Sequence, residues 1–415
     1  MSSLKRFLPM LLGLSVVLTA CPGGGEGGPS GASSAPTAPT GPIKVGVYGS
    51  LTGGTATFGQ STKKGVDLAF EEINKAGGVK GRQLQALHED DQGKPEEAAA
   101  VVQKLIDQDK VVAVIGEVAS SRSLAAGPAC QRAGIPMITP SSTAVEVTQI
   151  GDYIFRVCFI DPFQGQVMAQ FASGNLHAKK AAILKDIRND YSVGLAKFFS
   201  ETFTAAGGTI VAEEAYSEGD KDFKGQLTKI RSANPEVLFV PGYYTEVGLI
   251  AQQARDLGLK QPLLGGDGWE SPKLLEIGGK SLEGSYYSNH YFAGAPIPRI
   301  QEFVAKYKGR YGEEPDSIAA LAYDAARVLA QAMEKAPSLK GSDIRDAIAA
   351  TKDFPGVCGT INFDANRNPV KPATILQVKD GAITFVAEVG GPPPLAPVEG
   401  APAAASAPAA ASSGY

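Results

Sequence analysis

Three loops rich in hydroxyls and small residues carry the first visible chemistry in this 415-residue chain. Gly49-Ser50-Leu51-Thr52-Gly53-Gly54 follows an apolar run ending at Tyr48. Gly116-Glu117-Val118-Ala119-Ser120-Ser121 follows one ending at Ile115, and Thr139-Pro140-Ser141-Ser142-Thr143 one ending at Ile138. Each loop leads into an expected helix, whose first N–H groups lack intrahelical acceptors and suit an anion. Ser120, Ser141 and Thr143 are therefore either helix N-caps or, because adjacent loops repeat the pattern, a cradle for a carboxylate. Later runs end differently, at Asp186, at Tyr243-Tyr244 and at Asp267-Gly268-Trp269. Asp267, between Gly266 and Gly268, is either a turn or cap residue, or an acid that a ligand approaches closely, as an ammonium requires. Tyr243 offers a ring and a hydroxyl. A carboxylate cradle on one block facing an acid on another describes a clamp for an α-amino acid.

Catalytic constellations are scarce. His88, His177 and His290 form no HExxH, and no G-x-S-x-G is present. Gly279-Lys280-Ser281 resembles the end of a phosphate loop, but Leu274 stands where its first glycine is needed. A formal GxGxxG from Gly23 to Gly28 has no strand before it and no helix after it. Asp90-Asp91 is a metal pair, a surface acid pair or, as favoured here, a structural pair near a cleft. An enzyme built on Asp90, Asp91 and Asp267 would draw acids from different lobes, so no catalytic residue, metal or cofactor is expected. Once Cys21 is set aside, Cys130, Cys158 and Cys358 are an odd number at long spacings with no CxxC, which is not a disulfide framework.

The elements that position these loops alternate strand and helix. Strands are expected at Ile43–Tyr48, Leu84–His88, Val111–Ile115 and Ile135–Thr139, with helices at Lys63–Ile73 and Glu96–Ile106. The alternation restarts with strands at Lys180–Lys185, Thr209–Glu213, Val237–Val240 and Leu263-Leu264. Helices are expected at Tyr191–Thr204, Phe223–Ser232 and Glu246–Leu257. Helices near Arg299–Tyr311 and Ile318–Lys335 follow, then strands Thr374–Val378 and Ala382–Val386 joined at Asp380-Gly381. Continuous apolar strands such as Val111–Ile115 suit a parallel sheet covered on both faces. Two such blocks within about 350 residues imply two doubly wound, Rossmann-like α/β lobes. Ligands of open α/β sheets lie beyond the carboxyl ends of the strands, which is where the loops above fall.

The ends have a different character. Lys5 and Arg6 precede an apolar run, Phe7–Val17, too short to span a bilayer, and then Leu18-Thr19-Ala20-Cys21. Residues 1–20 read as an export signal with a lipobox, with Cys21 lipidated after cleavage. Ordinary signal cleavage is the alternative. Residues 21–41 read as a flexible linker and 390–415 as a disordered Pro/Ala/Ser tail. Cleavage removes two basic residues and no acids, so the formal charge moves from −4 to −6. An acidic body argues against a nucleic-acid partner.

Several stretches together resemble the leucine/isoleucine/valine-binding proteins of ABC importers. They are IKVGVYGSLTGGTATFGQ, INKAGGVKGRQL, DDQGKPEEAAAVVQKLI, VIGEVASS, GIPMITPSSTA, GDKDF, VPGYYTE, AQQARDLGL and LGGDGWESP, within a body from Ile43 to Val386. The resemblance implies a type I periplasmic-binding fold, in which three hinge crossovers near 158–161, 288–292 and 362–366 join the lobes. It divides the chain into an N-terminal lobe, 42–160 plus 290–363, and a C-terminal lobe, 161–289 plus 364–389. It gives Ser120 the contact to the ligand carboxylate, with Ser141 and Thr143 flanking the same group and Thr143 also holding the ammonium. Tyr243 matches the second-lobe aromatic, and Phe58 stands where Tyr or Trp often lies against the ligand. Val118, Ala119, Trp269 and Ile318 line the side-chain pocket on this reading, and Ser142 and Tyr191 complete the candidate set. Asp267 stands where the family usually has Glu, which keeps the charge and shortens the reach. A family disulfide that ends near Ala119 has no cysteine here. The implied function is that of an exported, lipid-anchored, monomeric receptor that binds a small branched-chain or related aliphatic amino acid and docks on membrane permease subunits. An amide, a urea-like solute or an aromatic acid as ligand, or a sensor in place of a transport receptor, are the alternatives.

Overall fold

The computed structural model describes residues 41–390. The signal, Cys21, nearly all of the linker and the tail lie outside the described residues.

The first block runs β1 (Ile43–Gly49), α1 (Ala56–Lys75), β2 (Leu84–Asp90), α2 (Pro95–Asp107), β3 (Ala113–Ile115), α3 (Ser120–Ala133), β4 (Met137–Thr139), α4 (Glu146–Gln149) and β5 (Ile154–Arg156). Its five strands are parallel, in the order β2-β1-β3-β4-β5. The second block runs α5 (Asp161–Gln170), β6 (Lys180–Asp186), α6 (Asp190–Ala205), β7 (Thr209–Tyr216), α7 (Lys224–Ser232), β8 (Val237–Phe239), α8 (Tyr244–Asp256), β9 (Leu263–Gly265), α9 (Pro272–Gly278) and β10 (Tyr286–Asn289). The chain then returns to the first lobe with α10 (Pro298–Tyr311), α11 (Ser317–Lys335), α12 (Gly341–Ala349) and the hairpin β11 (Phe354–Gly356) and β12 (Gly359–Ile361). It ends with β13 (Ala373–Lys379) and β14 (Ala382–Val389) in the second lobe. The second sheet is ordered β14-β13-β10-β9-β8-β6-β7. Thus both sheets repeat one doubly wound order, and the second adds an antiparallel hairpin at its edge. Three passages connect the lobes: Arg156 to Asp161, Asn289 to Pro298, and Ile361 to Ala373.

Local chemistry explains the departures from the sequence expectations. The strand expected from Ile135 begins at Met137. Ile135 donates its N–H to Cys130 O at the end of α3, and Pro136 has no N–H to give. Helix α1 begins seven residues before Lys63, over Ala-Thr-Phe-Gly-Gln-Ser-Thr, where small and polar residues obscure the helical period. In the last hairpin Asp380 and Gly381 both have positive φ, 53° and 74°, as a two-residue turn between antiparallel strands requires. The sequence spacing gives no sign of strands β5, β10, β11 and β12 or of helices α5, α9 and α12. Strands of three or four residues give too few alternations to show a period.

Apolar clusters lie on both faces of the first sheet. One includes Val45, Val47, Val66, Phe70 and Leu321. The other includes Val102, Leu105, Val114 and Ile154. Each fully buried side chain of this kind contributes about 1.5–3 kcal/mol. Phe58, Val118, Ala119 and Ile318 come from first-lobe elements, yet they join the cluster built on the second sheet. The two lobes are thus closed on one another at the carboxyl ends of their strands.

Among the described residues no helix is long and apolar enough to cross a membrane. Cys130, Cys158 and Cys358 are free and buried.

Candidate functional site

A small inter-lobe cavity lies where both sheets reverse their strand order. Phe58, Val118, Ser141, Tyr191, Tyr243, Asp267, Gly268 and Ile318 line it. Phe58 is in the first turn of α1, Val118 follows β3, Ser141 follows β4 and Ile318 opens α11. Tyr191 opens α6, Tyr243 immediately precedes α8, and Asp267 follows β9 in a short 3-10 turn. The closed walls leave about 10 Å³ for the centres of water-sized spheres, roughly one water. A larger occupant therefore requires the lobes to part.

Aromatic rings frame the second-lobe side. Tyr191 stacks on Tyr243 with centroids 5.5 Å apart, and Phe58 meets Tyr243 edge-on at 5.3 Å. The glycines beside Asp267 serve this packing. A Cβ on Gly266 would lie 2.5 Å from Tyr191 Oη and 2.7 Å from Gln164 Oε1. One on Gly268 would lie 2.8 Å from Gly242 O. In the closed form these two positions leave space for Tyr191, Gln164 and the loop after β8.

Asp267 is buried and held from several sides. Its backbone N–H donates to Gln164 Oε1 (2.8 Å), and Gly268 N–H donates to Tyr191 Oη (3.1 Å). Its Oδ2 accepts from Ser141 Oγ of the other lobe (3.2 Å) and lies 2.9 Å from His290 Nε2. Its Oδ1 is buried with no hydrogen-bond partner. Asp161 opens α5, where its N–H donates to Thr143 O (3.0 Å) and its Oδ1 accepts from Gln164 Nε2 (3.2 Å). Burial, reinforced by the nearby Asp267 charge, pushes the Asp161 carboxyl up to about 8. The site therefore holds one acid kept neutral near pH 7 beside a second acid with an unused oxygen. His290, Asp161 and Gln164 were missed in the sequence. They sit on a crossover or just after one, where no periodic pattern marks them.

The other expected site residues fall at different depths. Ser120 is the first residue of α3, and its Oγ accepts from Ala144 N–H (3.2 Å). The helix therefore has no side-chain cap, and the hydroxyl joins two loops instead. Ser142 Oγ donates to Glu117 O (2.8 Å) and meets Ser123 Oγ (2.7 Å), which ties the loop after β4 to that after β3. Ala119 and Thr143 are buried and are not among the residues that line the cavity. Trp269 does not line the cavity: its indole N–H donates to Val240 O (2.9 Å) and its ring lies in the second-lobe core. A buried indole turns toward an acceptor for its N–H, and here a backbone carbonyl supplies one.

Asp90 and Asp91 have structural partners. Asp90 accepts from Leu51 N–H (2.9 Å) and Thr52 Oγ1 (2.7 Å), and Asp91 from Ser50 Oγ (3.0 Å) and Gly93 N–H (2.9 Å). Among the described residues no cluster of three or more His, Cys, Asp or Glu side chains is placed to hold a metal ion.

The family model described as periplasmic binding protein matches residues 42–382. A leucine-, isoleucine-, valine-, threonine- and alanine-binding protein of Pseudomonas aeruginosa is 33% identical over 78% of this chain and 86% of its own. A solved leucine-binding protein of Thermotoga maritima is 40% identical, covering 84% of this chain and 99% of its own, with a TM-score of 0.81. A branched-chain amino acid transporter substrate-binding protein of Streptococcus pneumoniae, solved with isoleucine, is 36% identical. It covers 85% of this chain and 100% of its own, with a TM-score of 0.79.

Proposed function

Because the chain belongs to the periplasmic binding protein family, we propose that it is an extracytoplasmic receptor of an ABC importer, binding a small branched-chain or related aliphatic amino acid between its lobes. The observation that carries this reading is the buried, unpartnered Oδ1 of Asp267 beside the inter-lobe cavity. An ionised carboxylate only accepts hydrogen bonds, and an ammonium supplies both the donor and the charge. The ligand carboxylate belongs on the first-lobe side, among the Ser120, Ser141 and Thr143 loops. Phe58, Val118 and Ile318 give an apolar surface for an aliphatic side chain. The ligand touches both lobes, so its binding energy favours the closed form.

The same reading has the closed form dock on permease subunits as a monomer tethered through lipid on Cys21, with no catalysis. Cys21→Ala tests the anchor: the variant should leave the membrane fraction, and undiminished retention would refute the lipid.

A thermal-shift screen over amino acids, their deaminated analogues, amides, urea and aromatic acids tests the ligand class. A ligand at a hundredfold its Kd stabilises by about 2.7 kcal/mol. Aliphatic amino acids should give the largest shifts. A largest shift from a compound without an amine overturns the reading.

A further inference from the structure

All three inter-lobe passages converge beside the Asp267 carboxylate. His290 lies on the second passage, one residue beyond β10, and its side chain is fully buried. Its ring stacks on Phe159 of the first passage, with centroids 3.9 Å apart and planes 25° apart. Lys371 of the third passage donates to Val157 O of the first at 2.9 Å. From this junction one side chain reaches the cavity acid: His290 Nε2 lies 2.9 Å from Asp267 Oδ2.

We propose that His290 is a positioning residue that orients the Asp267 carboxylate toward the cavity and ties that orientation to the hinge. The inference rests on the reading of Asp267 as the ammonium partner.

The hydrogen bond sets the tautomer. An ionised carboxylate cannot donate, so Nε2 carries the proton. His290 Nδ1 is buried with no partner, so the neutral imidazole leaves no donor unsatisfied, whereas an imidazolium would leave one. Burial also lowers the imidazole pKa, against the opposing pull of Asp267.

A neutral donor has a consequence that a cation would not. It fixes Oδ2, together with Ser141 Oγ, without cancelling the carboxylate charge, so Oδ1 keeps that charge for a ligand amine. A lysine or arginine in the same place would form an internal ion pair and compete with the ligand. The short Asp side chain makes such bracing effective, since two bonds on Oδ2 leave its two dihedrals little freedom. His290 lies at the start of one of the three passages that join the lobes, which puts this brace beside the hinge.

The test measures affinity for the best amino acid from the screen and for its deaminated analogue, by calorimetry, in four proteins. His290→Phe keeps a ring against Phe159 and removes the donor. His290→Gln keeps a donor, and Asp267→Asn removes the charge. H290F should lose about tenfold or more in affinity for the amino acid, and less than about threefold for the analogue. H290Q should stay within about threefold of wild type for both. If H290F proves misfolded by thermal unfolding, His290→Ala replaces it with the same expectation. An H290F or H290A protein that keeps the wild-type preference for the amine, or an H290Q protein as impaired as H290F, overturns the proposal. D267N separates the two ideas. If it retains the amine preference, the assignment of Asp267 fails. If it loses the preference while H290F keeps it, only the role of His290 fails.

Discussion

Arg122 of the first lobe reaches Glu218 of the second, with Nη2 2.8 Å from Oε1. The arginine is buried, and the glutamate side chain is 37% exposed. The guanidinium is held on its own lobe by Ser50 Oγ and Thr55 Oγ1, each 2.9 Å from Nη1, and lies 3.6 Å from Glu117 Oε1. Closure thus adds an acid to a cation already fixed in position. Glu218→Gln should weaken ligand binding about twofold to fivefold, a modest effect because one partner meets solvent. The change should lie mainly in a faster dissociation rate, and the salt dependence of dissociation should flatten. Stopped-flow release at two ionic strengths measures both.

Asp267→Asn should lower affinity for the cognate amino acid about 30-fold or more. Removing one partner of a buried, hydrogen-bonded charge pair typically costs about 2–5 kcal/mol. Calorimetry is the measurement. An unchanged affinity would move the amine elsewhere.

Trp269→Phe should destabilise the fold by about 2–4 kcal/mol while leaving ligand affinity within about threefold. The change removes the indole bond to Val240 O and opens space in the second-lobe core. Denaturant unfolding and a binding titration on the same protein check it. A large loss of affinity at unchanged stability would return Trp269 to the ligand pocket.

Asp161 sets a pH dependence of known sign. Its carboxyl is raised to about 8 in the folded chain, chiefly by burial, from an ordinary value of 3.8. Below about pH 4 both folded and unfolded chains are protonated and the group has no effect. Between about pH 4 and 8 the folded chain holds the extra proton, so stability falls as pH rises. Above about pH 8 both are ionised and the full penalty applies. Asp161→Asn removes this contribution. The stability of D161N relative to wild type should therefore increase steadily from pH 4 to pH 8, as followed by urea unfolding at each pH. A difference that does not change with pH would show that Asp161 is ionised throughout.

Much of the architecture was legible without coordinates. Apolar strands such as Val45–Val47 and the helical spacing of Val66, Leu68, Ala69 and Phe70 are local signals, since each records which face of one element meets a core. Glycine, proline and hydroxyl residues after those strands placed the loops, and the carboxyl-end rule placed a site among them. That was enough to mark Ser141, Tyr243 and Asp267 as candidates. It was not enough to say where a side chain points. Trp269 turns to a carbonyl 29 residues away in sequence, and Gly266 and Gly268 make room for Tyr191 on a distant helix. His290 carries no periodic signature because it lies on a crossover, and Asp161 and Gln164 lie in the first turn of α5, a helix with no clear apolar period in its sequence. The bond from His290 to Asp267 joins the ends of two neighbouring strands, β10 and β9, and the bond from Ser141 to the same oxygen exists only once the two lobes close on each other. Local sequence records burial and turn geometry, which depend on near neighbours. Hydrogen-bond partners across a cleft depend on the packing of whole lobes, and only the tertiary structure decides them.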